Sequence, residues 1–187
     1  MVGVSILPIA KKNNKLYFLF GQEQNIEYGI RGYSDFGGGR EDESIFDGAI
    51  REGCEEIKGF LGDEKQLRKK VLESGGTYLI NYNDKYYVHI FLMDYDENLP
   101  IYFANNHNYI WNKMNKKLLS KTKIFEKRKL EWFTIKDMKK RKKEFRPFYV
   151  DILEKIIKDE KNIKKFANKM KNKTRKKRQT KNKTRKK

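Results

Sequence analysis

Apolar residues recur along this chain at two spacings. Near-continuous or alternating apolar runs at 2–10, 16–20, 77–80, 86–93 and 130–135 each predict a strand. Lys11-Lys12-Asn13-Asn14 joins the first two runs as a polar turn, which makes them a hairpin. Asn83-Asp84 marks another turn, and residues 86–93 are apolar enough for a central strand covered on both faces. Residues 33–36 read as a short strand feeding three glycines, and Ile101-Tyr102-Phe103 as a further strand candidate.

Elsewhere the spacing is helical. Phe46, Ala49, Ile50, Gly53 and Ile57 fall on one stripe of a helix, which should pack inward. Ser44 and Asp47 read as its capping box, and Gly59 as its left-handed stop. Residues 63–72 predict a charged helix, 109–119 a helical or irregular piece, and 148–157, opened by Pro147, a closing helix. Strands alternating with helices indicate an α/β domain.

Charge divides the chain in two. The formal net charge is +19, but residues 161–187 carry fifteen Lys and Arg and no acid, so the rest is close to neutral. Lys171-Asn172-Lys173-Thr174-Arg175-Lys176-Lys177 recurs at 181–187, and apolar content falls from Asn162 onward. The expected organisation is one domain over 1–160 and a low-complexity, disordered basic tail over 161–187. Cys54 is the only cysteine, so no intrachain disulfide forms. The apolar start is interrupted by Pro8 and lacks a basic leader, so neither a signal peptide nor a membrane span is expected. A cytoplasmic protein is the expectation, with the tail as a candidate nuclear-localisation segment.

Glu52, Glu55 and Glu56 lie three and four residues apart on the wheel of the glycine-fed helix, so their carboxylates gather on one face. Like charges so spaced cost a bare helix about 0.2–0.5 kcal/mol per pair. A solvated acidic face is one reading of such a cluster. A compensating hard cation is the other, since oxygen-only ligands select Mg²⁺ or Mn²⁺.

Gly37, Glu43, Arg51, Glu52, Glu55 and Glu56 together have the spacing of the Nudix hydrolase signature, and the stretch 37–59 resembles that box. It departs at three positions: Gly53 and Gly59 stand where the family has apolar residues, and Lys58 where it has glycine. Gly59-Phe60 reads as the usual ending displaced by one residue. Gly53 costs a helix interior about 1 kcal/mol against alanine, a cost that close packing on the sheet would explain.

The resemblance implies a Nudix-type α/β/α sandwich with a mixed curved sheet. It implies a Mg²⁺- or Mn²⁺-dependent pyrophosphohydrolase that cleaves a phosphoanhydride in a nucleoside-diphosphate-linked substrate. By the same resemblance Glu52 and Glu55 are catalytic, and Glu52, Glu55, Glu56 and the Gly37 carbonyl hold the metal. Glu43 and Arg51 pair to hold the turn against the helix. Glu97, Glu126 and Glu131 are candidates for a further acid. His89, inside an apolar strand, reads as a satisfied core residue, and His107 as part of an Asn-rich turn.

Basic clusters at 113–129 and 136–146 could contact a polyanion together with the tail. Lys139, Lys140, Arg141, Lys142, Lys143, Arg175, Lys176 and Lys177 are the candidate nucleic-acid contacts. The tail also reads as an attractor for anionic membrane surfaces or a solubilising segment. The Asp35-Phe36-Gly37-Gly38 entry, Gly59 and the basic character are similar to the mRNA-decapping, viral-type branch of the family, with capped RNA as substrate. Small nucleotides and diphosphoinositol polyphosphates suit the same box, as does a catalytically idle, RNA-binding Nudix-like domain.

Overall fold

The computed structural model describes residues 2–24, 31–115, 117–119 and 126–169. Strands β1 (Gly3–Lys12) and β2 (Lys15–Glu23) form the expected hairpin around Asn13 and Asn14, both with positive φ. The remaining strands are β3 (Tyr33–Ser34), β4 (Phe36–Gly39), β5 (Tyr78–Tyr82), β6 (Tyr86–Met93) and β7 (Lys127–Phe133). One seven-stranded sheet holds them all. It is mixed: β1 runs parallel to β6, and the other ladders are antiparallel.

β1 is the centre of this arrangement. One edge pairs along its length with β6; the other is shared by β4 at Gly3–Ile6 and by β2 at Ile9–Lys12. Two strands on one edge force β2 to diverge, and its far half pairs with β3 and β7.

Alternation along the strands fills two cores. Val4, Ile6, Leu19 and Phe91 face helices α1 (Ile45–Ile57), α2 (Glu64–Glu73) and α3 (Leu99–Lys113). Leu7, Ile9, Phe18, Phe20, Val88 and Ile90 face the other side, which is covered by α4 (Ile135–Lys140), α5 (Val150–Lys158) and a helical run at 160–169. The fold is therefore an α/β/α sandwich with an open, curved mixed sheet.

Four expectations are corrected. Residues 101–103 are not a strand but belong to α3, because Leu99, Phe103 and His107 form a buried i, i+4, i+8 stripe and Pro100 sits in the first turn. His107 is accordingly a buried helix residue, stacked on Trp111, rather than part of a turn. Ile135 opens α4 instead of closing β7, since Thr134 and Asp137 form a reciprocal capping box. The packed structure continues past the expected boundary at 160, with Ile163 and Ala167 both buried against the core. The remaining expected tail, from 170 onward and including Arg175, Lys176 and Lys177, lies outside the described residues.

Candidate active site

Helix α1 carries the three glutamates, and its ends fix their height over the sheet. Ser44 caps the start, its hydroxyl accepting from the Asp47 N–H at 3.1 Å and donating to the Asp47 carboxylate at 2.6 Å. At the other end Lys58, not Gly59, is the first left-handed residue, at φ 57° and ψ 39°, and its N–H closes on the carbonyls of Cys54 and Glu55. The ending is therefore not displaced: a lysine occupies the conformation glycine would take most readily. Gly59 follows with φ 71°.

Midway along α1, a Cβ at Gly53 would lie 2.3 Å from Ile6 Cδ1. The glycine lets the helix rest directly on β1. One turn earlier Ala49 and Ile50 are fully buried on the same face.

This close approach presses the glutamates against the glycine strand. Glu56 is 6% exposed, and its Oε2 accepts the Gly37 N–H at 2.8 Å. A Cβ at Gly38 would fall 2.3 Å from Glu52 Oε2, so the absence of a side chain there is what seats the Glu52 carboxylate. Glu55 points outward, its side chain 62% exposed. Gly37 thus reaches the glutamates through its amide hydrogen.

Arg51 ties these parts together. It donates to Glu43 at 2.9 Å, to the Gly39 carbonyl at 3.1 Å and to Glu52 at 2.8 Å, and lies 3.6 Å from Glu55. The planar guanidinium suits this fork, which a lysine could not reproduce. Its carboxylate neighbours hold Arg51 above its ordinary pKa against the effect of its burial, and Arg51 in turn lowers that of Glu43.

Burial raises the pKa of Glu52, and Glu55 and Glu126 add to it, while Arg51 opposes. Burial pushes Glu56 well above the usual carboxylate range despite Lys127, with Glu23 and Glu126 pushing the same way. Of the three candidates for a further acid, Glu126 is thus near the pair electrostatically. Glu97 is occupied by Lys12 at 2.8 Å, and Glu131 by the Tyr33 hydroxyl and Arg141.

Two participants escaped the sequence reading, and a third, Asp35, entered it only as part of the Asp35-Phe36-Gly37-Gly38 stretch. Lys127 is 1% exposed, and its ammonium lies 2.5 Å from Glu23, 2.7 Å from the Ser34 hydroxyl and 3.4 Å from Glu56. Burial works against its charge, but Glu56 and Glu23 outweigh that and raise its pKa. In the sequence it belongs to a basic cluster and reads as a surface contact. Glu23 sits at the end of β2 and also receives Arg146 at 3.1 Å. Asp35, 1% exposed, accepts from Ser5 at 2.5 Å and Tyr86 at 2.8 Å, and burial raises its pKa to about 6. No spacing within the sequence marks Glu23 or Lys127.

The donor set fits a hard divalent ion. It is oxygen-only, partly desolvated and rich in carboxylates on its outer side, where Glu43, Glu52 and Glu55 share Arg51 and Glu126 acts on Glu52. No ready-made cluster of three His, Cys, Asp or Glu groups exists among the described residues. The exposed Glu55 would have to turn in to complete one.

The candidate nucleic-acid residues divide. Arg141 is committed to Glu131 and Glu144 and lies over the Phe133 ring, and Lys142 is committed to Glu154. Lys139, Lys140 and Lys143 are exposed. No helix among the described residues is long and apolar enough to cross a membrane.

No protein-family model and no curated protein matches the chain. Among solved structures it is similar to a C. elegans Ap4A hydrolase in a binary complex, at 14% identity over 82% of this chain and 94% of that one, with a TM-score of 0.47. A mutT/nudix family protein from Listeria innocua is 13% identical over 86% and 94%, at 0.44. The NUDIX domain of Shewanella oneidensis NrtR, complexed with ADP ribose, is 12% identical over 75% and 76%, at 0.38.

Proposed function

We propose that the chain is a Nudix-type pyrophosphohydrolase that cleaves a phosphoanhydride in a nucleoside-diphosphate-linked substrate, with Mg²⁺ or Mn²⁺ held by Glu52, Glu55 and Glu56. The seat of Glu52 carries this reading. Its carboxylate fills the space over Gly38 and is clamped by an arginine that Glu43 also holds. A solvated acidic helix face needs no such clamp, whereas a site that must present a carboxylate at a fixed point does.

A bound divalent ion would neutralise phosphate charge and lower the pKa of an attacking water. Glu56, fixed by Gly37, supplies an anchored ligand, and the exposed Glu55 a movable one. Glu52, seated over Gly38 and clamped by Arg51, is the fixed carboxylate placed to accept the proton of the attacking water. The water oxygen bonds to phosphorus as the anhydride P–O bond breaks, and two phosphate products leave without a covalent intermediate.

Capped RNA is the substrate we propose within this class. The exposed Lys139, Lys140 and Lys143 and the Lys- and Arg-rich sequence of 171–187 support a polyanionic substrate. The test is product analysis after incubation with capped RNA, nucleoside diphosphate derivatives and diphosphoinositols, with Mg²⁺ or Mn²⁺, beside Glu56→Gln. Release of a capped nucleoside diphosphate, reduced by about 10²-fold or more in the variant, is expected. Turnover of small molecules alone would discard the RNA substrate. RNA binding in chelator without turnover of anything would replace the enzyme by an idle RNA-binding domain.

A further inference from the structure

A fully buried lysine beside a carboxylate site calls for an explanation, because an ammonium withdrawn from water must be compensated by what surrounds it. Lys127 enters at the start of β7, and its stem passes over Gly21, where a Cβ would lie 2.8 Å from Lys127 Cδ. Its ammonium meets Glu23, Ser34 and Glu56, and Glu23 is met again by Arg146. The inner side of the site therefore sets Lys127 and Arg146 against Glu23 and Glu56, with the buried Asp35 also in the field of Lys127. The outer side differs: among the described residues Arg51 is shared there by Glu41, Glu43, Glu52 and Glu55, and Glu126 acts on Glu52.

Glu56 belongs to both sides. Gly37 N–H fixes one of its oxygens, and Lys127 faces the other. We propose that Lys127 is a built-in cation that closes the inner side of Glu56 to divalent ions, so that metal enters only on the side of Glu52 and Glu55. It is a positioning residue, acting through Glu56. The inference deepens the hydrolase reading and rests on its metal site.

Lys127→Met keeps the length of the stem and removes the charge between Glu23 and Glu56, while Arg146 stays on Glu23. Titration of the full chain with Mn²⁺, followed by electron paramagnetic resonance, counts the ions bound. Lys127→Met is expected to bind one more Mn²⁺ per chain than the parent, and to lose it again when combined with Glu23→Gln. A folded Lys127→Met chain with the parental count overturns the proposal.

Glu23→Gln alone, with Lys127 in place, provides a second measurement should Lys127→Met fail to fold. It is expected to keep the parental count and an affinity within about twofold, well inside the 10–100-fold that loss of a supporting group costs a metal site. An ion lost, or a tenfold weaker affinity, overturns the proposal, because Glu23 would then be reaching the metal. The hydrolase reading fails on a different readout, the absence of turnover. A parent that binds no Mn²⁺ refutes the metal site and the closure with it, whereas a parent that binds Mn²⁺ without turning over any substrate refutes only the hydrolase reading.

Discussion

His89 gives the sharpest physical prediction. Its ring is 7% exposed in β6, with Nδ1 3.0 Å from the Thr77 hydroxyl and the Phe46 ring at 5.3 Å. Nε2 is buried without a hydrogen-bond partner. Protonation would place a charged N–H there with nothing to accept it, and this burial lowers the pKa from 6.5 to about 4. Between those values the unfolded chain binds a proton that the folded chain refuses, so stability rises with pH across this window and is lost as pH falls. At about 1.4 kcal/mol per pH unit, the full loss approaches about 3 kcal/mol. Other groups titrate in the same range, so the quantity to measure is a difference. Urea unfolding of the parent and of His89→Gln, followed by tryptophan fluorescence at pH 7, 6, 5 and 4, isolates it. Any pH-independent effect of the substitution appears as a constant offset. The parent is expected to lose about 3 kcal/mol relative to His89→Gln between pH 7 and 4. A difference flat to within about 0.5 kcal/mol would refute the reasoning, as would one of opposite slope.

Other substitutions probe separate links. Ile163→Ala should cost about 2–4 kcal/mol in urea unfolding, because Ile163 is wholly buried in the core beyond residue 160; a surface-like change below about 0.5 kcal/mol would detach this helix from the domain. Gly53→Ala should destabilise by about 1–2 kcal/mol even after its helix-propensity gain, since the new methyl meets Ile6, and a net stabilisation would show that the helix can lift. Arg51→Lys should weaken Mn²⁺ binding by about 10-fold or more, as one ammonium cannot hold Glu43, Gly39 and Glu52 together; unchanged binding in calorimetry would reduce Arg51 to a structural staple. Replacing Lys139, Lys140 and Lys143 with Ala should lower the slope of log affinity for single-stranded RNA against log salt by about 2, and an unchanged slope would place RNA elsewhere.

The sequence made α1 readable because its period, its serine cap and its crowding of like charges all lie within fifteen residues of one another. The hairpin was equally local. α3 was misread because Ile101, Tyr102 and Phe103 have strand propensity, and the residue that completes the helical stripe is His107, which counts as polar until it is seen buried. The boundary at 160 was misread for a related reason: Ile163 and Ala167 are diluted among lysines, yet two apolar residues four apart suffice to seat a helix. The inner half of the site was hidden by distance along the chain. Glu23 and Lys127 are 104 residues apart, and no local pattern distinguishes a lysine about to be buried from its exposed neighbours.

That separation also orders events during synthesis. The glycine strand, the three glutamates and Glu23 have all left the ribosome long before residue 127. β4 and α1 can settle on β1 through nearby contacts, but β1 still awaits β6, and β2 awaits β7. Long-range pairings of this kind come late because their loop closure precedes any reward. In any state with β7 undocked, Glu23 and Glu56 lack the ammonium that faces them in the finished fold. The strand synthesised last is thus also the one that brings in the site's internal cation, so docking of β7 on β2 and delivery of that cation to Glu23 and Glu56 are a single event.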